Sequence, residues 1–85
     1  DINPKAKIHI LGIPKAEVKS LSDFIVRSSE SDFKYFFQQI YEVIKKLELD
    51  KTGYRLITND GENANQEVSH FHVHILGGNN LGGLL

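Results

Sequence analysis

Apolar and polar residues change rhythm several times along this chain, and each change marks an element. Residues 7–13, KIHILGI, form a short and nearly continuous apolar run, the mark of a buried strand. Pro14 closes it, because proline has no N–H to give to a sheet ladder. Residues 16–23 fit a short helical turn. RSSESD (27–32) is polar and rich in capping side chains, with Ser29 or Ser31 as the helix N-cap. From Phe33 to Leu49 the spacing turns helical. Phe33, Phe36, Phe37, Ile40, Val43, Ile44 and Leu47 share one face, while Lys34, Gln38, Glu42, Lys45 and Lys46 take the other. Tyr35 and Tyr41 flank the stripe as core-edge residues, and Gly53 is the stop signal a few residues later.

YRLITN (54–59) alternates and is partly β-branched or aromatic, which predicts a second strand. DGENANQ (60–66) is a polar connection opened by Asp-Gly, and residues 67–76 read as a third strand. So short a connection favours an antiparallel hairpin between the second and third strands. The glycine-rich tail, residues 79–85, has no periodicity. Together these elements predict an α+β fold, an antiparallel sheet covered on one face by one long helix.

Composition narrows the setting. With 85 residues the chain makes a single small domain with a thin core, one that oligomerisation would help. Ten basic residues face eleven acidic ones, a net charge of −1, so nothing marks a nucleic-acid arm or a polybasic membrane patch. Absence of cysteine removes disulfides and zinc thiolates and fits a reducing, cytoplasmic setting. No apolar run approaches the roughly 18 residues of a membrane span, and no signal pattern opens the chain. It begins at Asp1 without methionine and runs almost directly into an apolar segment, as a piece of a longer protein would.

The chemistry concentrates in SHFHVHILGG (69–78), which places His70, His72 and His74 at alternate positions. On a strand, alternate side chains share a face, so the histidines take one side while Phe71, Val73 and Ile75 pack on the other. Neighbouring histidine Cα atoms would stand roughly 6.5–7 Å apart, the outer two roughly 13 Å. Two chemistries fit. A metal would take two of these imidazoles plus His9 or a carboxylate such as Glu67. Alternatively, one neutral imidazole attacks phosphorus while its other nitrogen is held by a hydrogen bond, and flanking histidines bind phosphate oxygens or serve the leaving group. A plain solvated face would carry mixed Thr, Lys, Glu and Ser instead. The amides Asn59, Asn63, Asn65 and Gln66 before the strand suit an anionic phosphate better than a hard metal. Gly77 and Gly78 after it allow close backbone approach. Ordinary hairpin chemistry accounts for Asp60 and Gly61 but less well for Gln66.

HFHVHILGG resembles the signature of the histidine-triad family, in which histidines alternate with apolar residues. DINPKAKIHILGIPK (1–15) resembles the family's Asp-Ile-x-Pro-x-Ala segment running into a histidine-bearing strand. GYRLITNDGENANQEVSHFHVHILGG (53–78) resembles its second block, so the likeness covers essentially the whole chain in order. The nearest branch is that of the small nucleotide-binding, phosphoramidase-like members. The resemblance implies a domain whose full form has five antiparallel strands, here without its N-terminal helix and strands. It implies hydrolysis or transfer of nucleoside monophosphates from purine nucleoside phosphoramidates and acyl-adenylates, with no metal or cofactor.

By the same resemblance His72 is the nucleophile that forms a nucleotidyl-imidazole intermediate. His74 contacts the α-phosphate or bridging atom, His70 orients the His72 ring through its backbone carbonyl, and His9 supports the network. A lone histidine in an apolar strand is usually a hydrogen-bonded core residue, and for His9 the two descriptions nearly merge. Asp1 grips the ribose hydroxyls, Ile2 lies against the nucleoside, and Asn59, Gln66, Glu67 and Val68 complete the nucleotide-binding set. Relatives form two-fold dimers with a sheet continuous across the interface, which implies a homodimer here. One departure stands out. Glu67 occupies a position where many members have Ser or Thr, which adds negative charge where a phosphate would sit. Two other readings stay in play, a dinucleoside polyphosphate hydrolase and, because of Glu67, a nucleotide-binding module with little turnover. The tail offers Leu81, Leu84 and Leu85 where several relatives carry aromatic or basic residues.

Overall fold

The computed structural model describes residues 6–83. The elements in chain order are β1 (Ile8–Gly12), α1 (Leu21–Arg27), α2 (Glu30–Lys46), α3 (Leu49–Thr52), β2 (Tyr54–Ile57) and β3 (Val73–Gly77), with a 3-10 turn at Glu62–Ala64. The strands form one antiparallel sheet in the order β1-β3-β2. The class is therefore α+β, with three strands among the described residues.

Register decides which side chains share a face. Ile10 and Leu56 both stand opposite Ile75, and Leu11 and Ile57 both stand opposite His74. Alternation then divides the sheet. Ile8, Ile10, Val73 and Ile75 pack with Phe36, Ile40 and Ile44 of α2 in the core. His9, Leu11, His74 and Leu76 take the opposite face. The phenylalanines close the core at one end: Phe71 stacks on Phe24 at 5.2 Å, and Phe36 meets Phe24 edge-on at 5.3 Å. Phe71, which also meets Phe36 at 6.0 Å, thereby ties the histidine-bearing segment to α1 and α2.

Helix ends follow their caps. Ser29, not Ser31, caps α2, accepting a hydrogen bond from the Asp32 N–H at 3.1 Å. The helical turn expected over 16–23 lies later, at Leu21–Arg27. Ser20 sets its start by accepting from the Asp23 N–H, while the Asp23 carboxylate accepts from the Lys19 N–H. The long helix stops at Lys46 rather than Leu49, because Glu48 adopts a left-handed φ of 60°. Leu47 is left 39% exposed, and Leu49, at 2%, fills the core position from α3. Gly53, φ 110°, ends α3 and turns the chain into β2.

The third strand is shorter than its alternation suggests. β3 begins only at Val73, so residues 67–72 are irregular and the three histidines do not lie along one straight strand. A competing long-range bond explains this, the Phe71 N–H donating to the Val18 carbonyl at 2.8 Å rather than to a neighbouring strand. Beyond β3 the tail turns back on its own sheet. The Arg55 guanidinium donates to the carbonyls of Gly82 and Gly83, and Asn79 Oδ1 accepts from the Lys7 N–H. Among the described residues no helix is long and apolar enough to cross a membrane.

Candidate active site

Three imidazoles form a row across the sheet. His74 sits in β3, and His9 lies diagonally from it on β1, on the same face. Their ring centroids are 5.0 Å apart, and His9 Nε2 meets His74 Nδ1 at 2.8 Å. On the other side His72 meets His74 edge-on, with centroids 5.0 Å apart and rings at 86°. His70 enters through its backbone, its carbonyl oxygen lying 2.7 Å from His72 Nδ1. The His70 ring turns aside, its own Nδ1 bonding to the Phe71 carbonyl at 3.0 Å.

These contacts assign protons. A carbonyl oxygen only accepts, so His72 Nδ1 must carry the hydrogen that reaches His70. In the neutral ring Nε2 is then left with a bare lone pair, the form a nitrogen nucleophile requires. The His9–His74 contact holds a single proton, because two imidazolium N–H groups cannot point at each other across 2.8 Å. The pKa of His74 lies below its ordinary value, mainly because burial disfavours the charged ring, with His72 and His9 adding repulsion. His72 itself is only 8% exposed. The row can thus present one unprotonated nitrogen from His72 beside a readily deprotonated His74.

The loop that carries the histidines is braced by side-chain amides. Gln66 accepts from the Gly61 N–H at 2.8 Å and donates to the carbonyls of Lys19 and Val68. Asn59 donates to the Ala64 carbonyl at 2.9 Å, closing the turn around residues 60–65. Both amides are engaged with backbone, so in this conformation they shape the loop. Asp60 is more than a hairpin residue: its carboxylate accepts from the Leu21 N–H at the start of α1. Glu67 and Val68 lie exposed on the run towards His70, while Asp1 and Ile2 fall outside the described residues. Close approach at Gly77 is to the protein's own Leu49, whose Cδ2 would lie 2.9 Å from an added Cβ.

One residue absent from the sequence reading touches the row. Thr58 donates its hydroxyl to the His72 carbonyl at 2.7 Å. It lies inside YRLITN (54–59), read from the sequence as strand, where nothing marked it apart from its neighbours. Among the described residues no three His, Asp or Glu side chains are gathered as a metal cage. A cavity of about 530 Å³ opens elsewhere, between β1 and α2, lined by Ile10, Ile13, Tyr35, Ile40 and Val43. The histidines are not among its lining residues.

Comparison with known proteins identifies the family and the fold. The family model described as HIT domain matches residues 1–81. An uncharacterized HIT-like protein of Rickettsia prowazekii is 48% identical over 85 residues, covering all of this chain and 71% of the relative. A histidine triad protein of Clostridium difficile has a similar solved structure, with TM-score 0.80 and 35% identity over all of this chain and 73% of that one. A HIT family hydrolase of Clostridium thermocellum superposes with TM-score 0.77 at 37% identity, over all of this chain and 74% of that one. Neighbours of this kind support a hydrolase-type enzyme. With the family model spanning nearly its whole length and its histidines in a contiguous row, the chain belongs to the HIT domain family.

Proposed function

We propose that the chain cleaves purine nucleoside monophosphate derivatives, such as adenosine phosphoramidates or acyl-adenylates, through a covalent nucleotidyl group on His72. The observation that carries this reading is the 2.7 Å contact of His72 Nδ1 with the His70 carbonyl, which leaves Nε2 as the free nitrogen. In the first step the Nε2 lone pair bonds to the α-phosphorus, and the bond from phosphorus to the leaving nitrogen or oxygen breaks. The departing atom takes a proton from the protonated form of His74, a stronger acid than free histidine because its pKa is lowered. In the second step water attacks phosphorus, the P–N bond to His72 breaks, and His74 receives the water's proton. The nucleoside monophosphate leaves and both rings return to their starting state. No metal or cofactor enters the scheme.

In this reading Asp1 and Ile2 hold the nucleoside, and Asn59, Gln66, Glu67 and Val68 border the phosphate. The working form is a cytoplasmic homodimer. Support comes from β2, an edge strand in the order β1-β3-β2 whose Tyr54 and Leu56 are 43% and 41% exposed. Incubation with an adenosine phosphoramidate releases AMP without added metal, and His72→Ala stops the release. Full activity in that variant, or loss of activity to a chelator alone, contradicts the mechanism. Glu67 favours a second reading, a nucleotide-binding module with slow turnover. Tight AMP binding with no burst of product selects it.

A further inference from the structure

Thr58 is the first residue beyond β2, and His72 is the last before β3. Extending the ladder from its Ile57–His74 pair sets Thr58 opposite Val73, whose peptide begins with the His72 carbonyl. We propose that Thr58 is a positioning residue for His72, its hydroxyl fixing the peptide that follows the nucleophile. The inference rests on the proposed role of His72.

Other bonds already hold the N-terminal side of this segment. Residues 70–72 lie outside the ladder, and their backbone is tethered through the His70 N–H to the Val68 carbonyl and the Phe71 N–H to the Val18 carbonyl. Both tethers lie on the N-terminal side of His72. At its C-terminal side the Thr58 hydroxyl grips the His72 carbonyl at 2.7 Å. That bond anchors His72 at its C-terminal side, so its loss lets φ and ψ of His72 drift together and changes the direction of the Cα–Cβ bond that carries the ring. Two relationships depend on this direction: the Nδ1–H bond to the His70 carbonyl and the edge-on contact with His74. Thr58 thus acts through His72 geometry, without touching substrate. Because it is itself exposed, Thr58→Val removes the hydroxyl while keeping the shape and opening no cavity.

The test compares Thr58→Val and Thr58→Ser in the full chain by two readouts. Without substrate, nitrogen-15 NMR of the His72 ring reports its tautomer. The wild-type ring is expected in the Nδ1–H form, the Val variant shifts towards a mixture, and the Ser variant returns to wild type. With an adenosine phosphoramidate, the Val variant loses about tenfold in kcat with KM within about twofold, as loss of one hydrogen bond and slight misplacement of a reacting group imply. The Ser variant recovers most of that loss. A Val variant with the wild-type ring spectrum and wild-type kcat overturns the proposal. If the wild-type chain shows no turnover, the proposed activity fails, and the ring spectrum alone still decides whether Thr58 positions His72.

Discussion

His9 and His74 meet at 2.8 Å across two strands, nitrogen to nitrogen, and so share one proton between two rings. That contact links β1 to the chemistry of β3, because whichever nitrogen donates fixes whether the remaining nitrogen of His74, Nε2, carries a hydrogen or a lone pair. A donor at His9 Nε2 leaves His74 with hydrogen on its own Nε2, the side that points away from His9. His9→Phe keeps an aromatic ring on β1 and removes the shared proton. We expect kcat to fall roughly 10-fold to 100-fold, no more than the low end of the roughly 10²–10⁴-fold that a directly acting acid–base group contributes, because His9 acts through His74. Steady-state kinetics on an adenosine phosphoramidate checks this, and an unchanged kcat would separate His9 from the reaction.

Acid should weaken the fold through His74. Its folded-state pKa lies below the ordinary 6.5, first because of burial and then because of His72 and His9. As pH falls, the unfolded chain therefore takes up this proton before the folded one does. The contribution is fully present above pH 6.5 and is lost as pH falls from there through the folded-state value. Thermal melts of the wild type and His74→Asn across this window should show the steeper decline in the wild type. Parallel profiles would contradict the assignment.

Gln66 holds three backbone groups with one side chain. Gln66→Leu should cost about 1–3 kcal/mol, since the Gly61 N–H and the Lys19 and Val68 carbonyls lose their partner. Urea unfolding measures this directly. A change within error would mean that water replaces the amide at no loss.

At Gly77 the constraint is steric. An added methyl would stand 2.9 Å from Leu49 Cδ2 and 3.4 Å from the Gly53 carbonyl oxygen. Leu49 is 2% exposed and has little room to move. Gly77→Ala should therefore destabilise by roughly 1–3 kcal/mol, the usual cost of overpacking. An equally stable variant would show that α3 shifts freely against β3.

Local signals were legible where local forces decide. The apolar run ended by Pro14 became β1, the 3.6-residue stripe became α2, and the Ser29 cap set its start. Alternation around Val73 and Ile75 correctly marked the core side of β3. Partners far along the chain were not legible. Phe71 bonds to Val18, Asp60 caps Leu21, and Gln66 reaches Lys19. None of these pairings leaves a pattern in either stretch, and the first of them cuts the expected third strand short. The histidine row itself was half visible. Spacing grouped His70, His72 and His74 and the resemblance added His9, but only the sheet register sets His9 diagonal to His74, and only the local bond to the Phe71 carbonyl turns the His70 ring away. Thr58 carried no motif at all, since its role depends on where two strands stop.

Rapid quench of the wild-type chain with an adenosine phosphoramidate, followed by peptide mass spectrometry, tests the central claim most directly. One nucleotidyl group is expected, on His72, appearing before AMP is released and absent in His72→Ala. Turnover with no nucleotidyl-enzyme on that time scale, or with the nucleotidyl group on another residue, would contradict it.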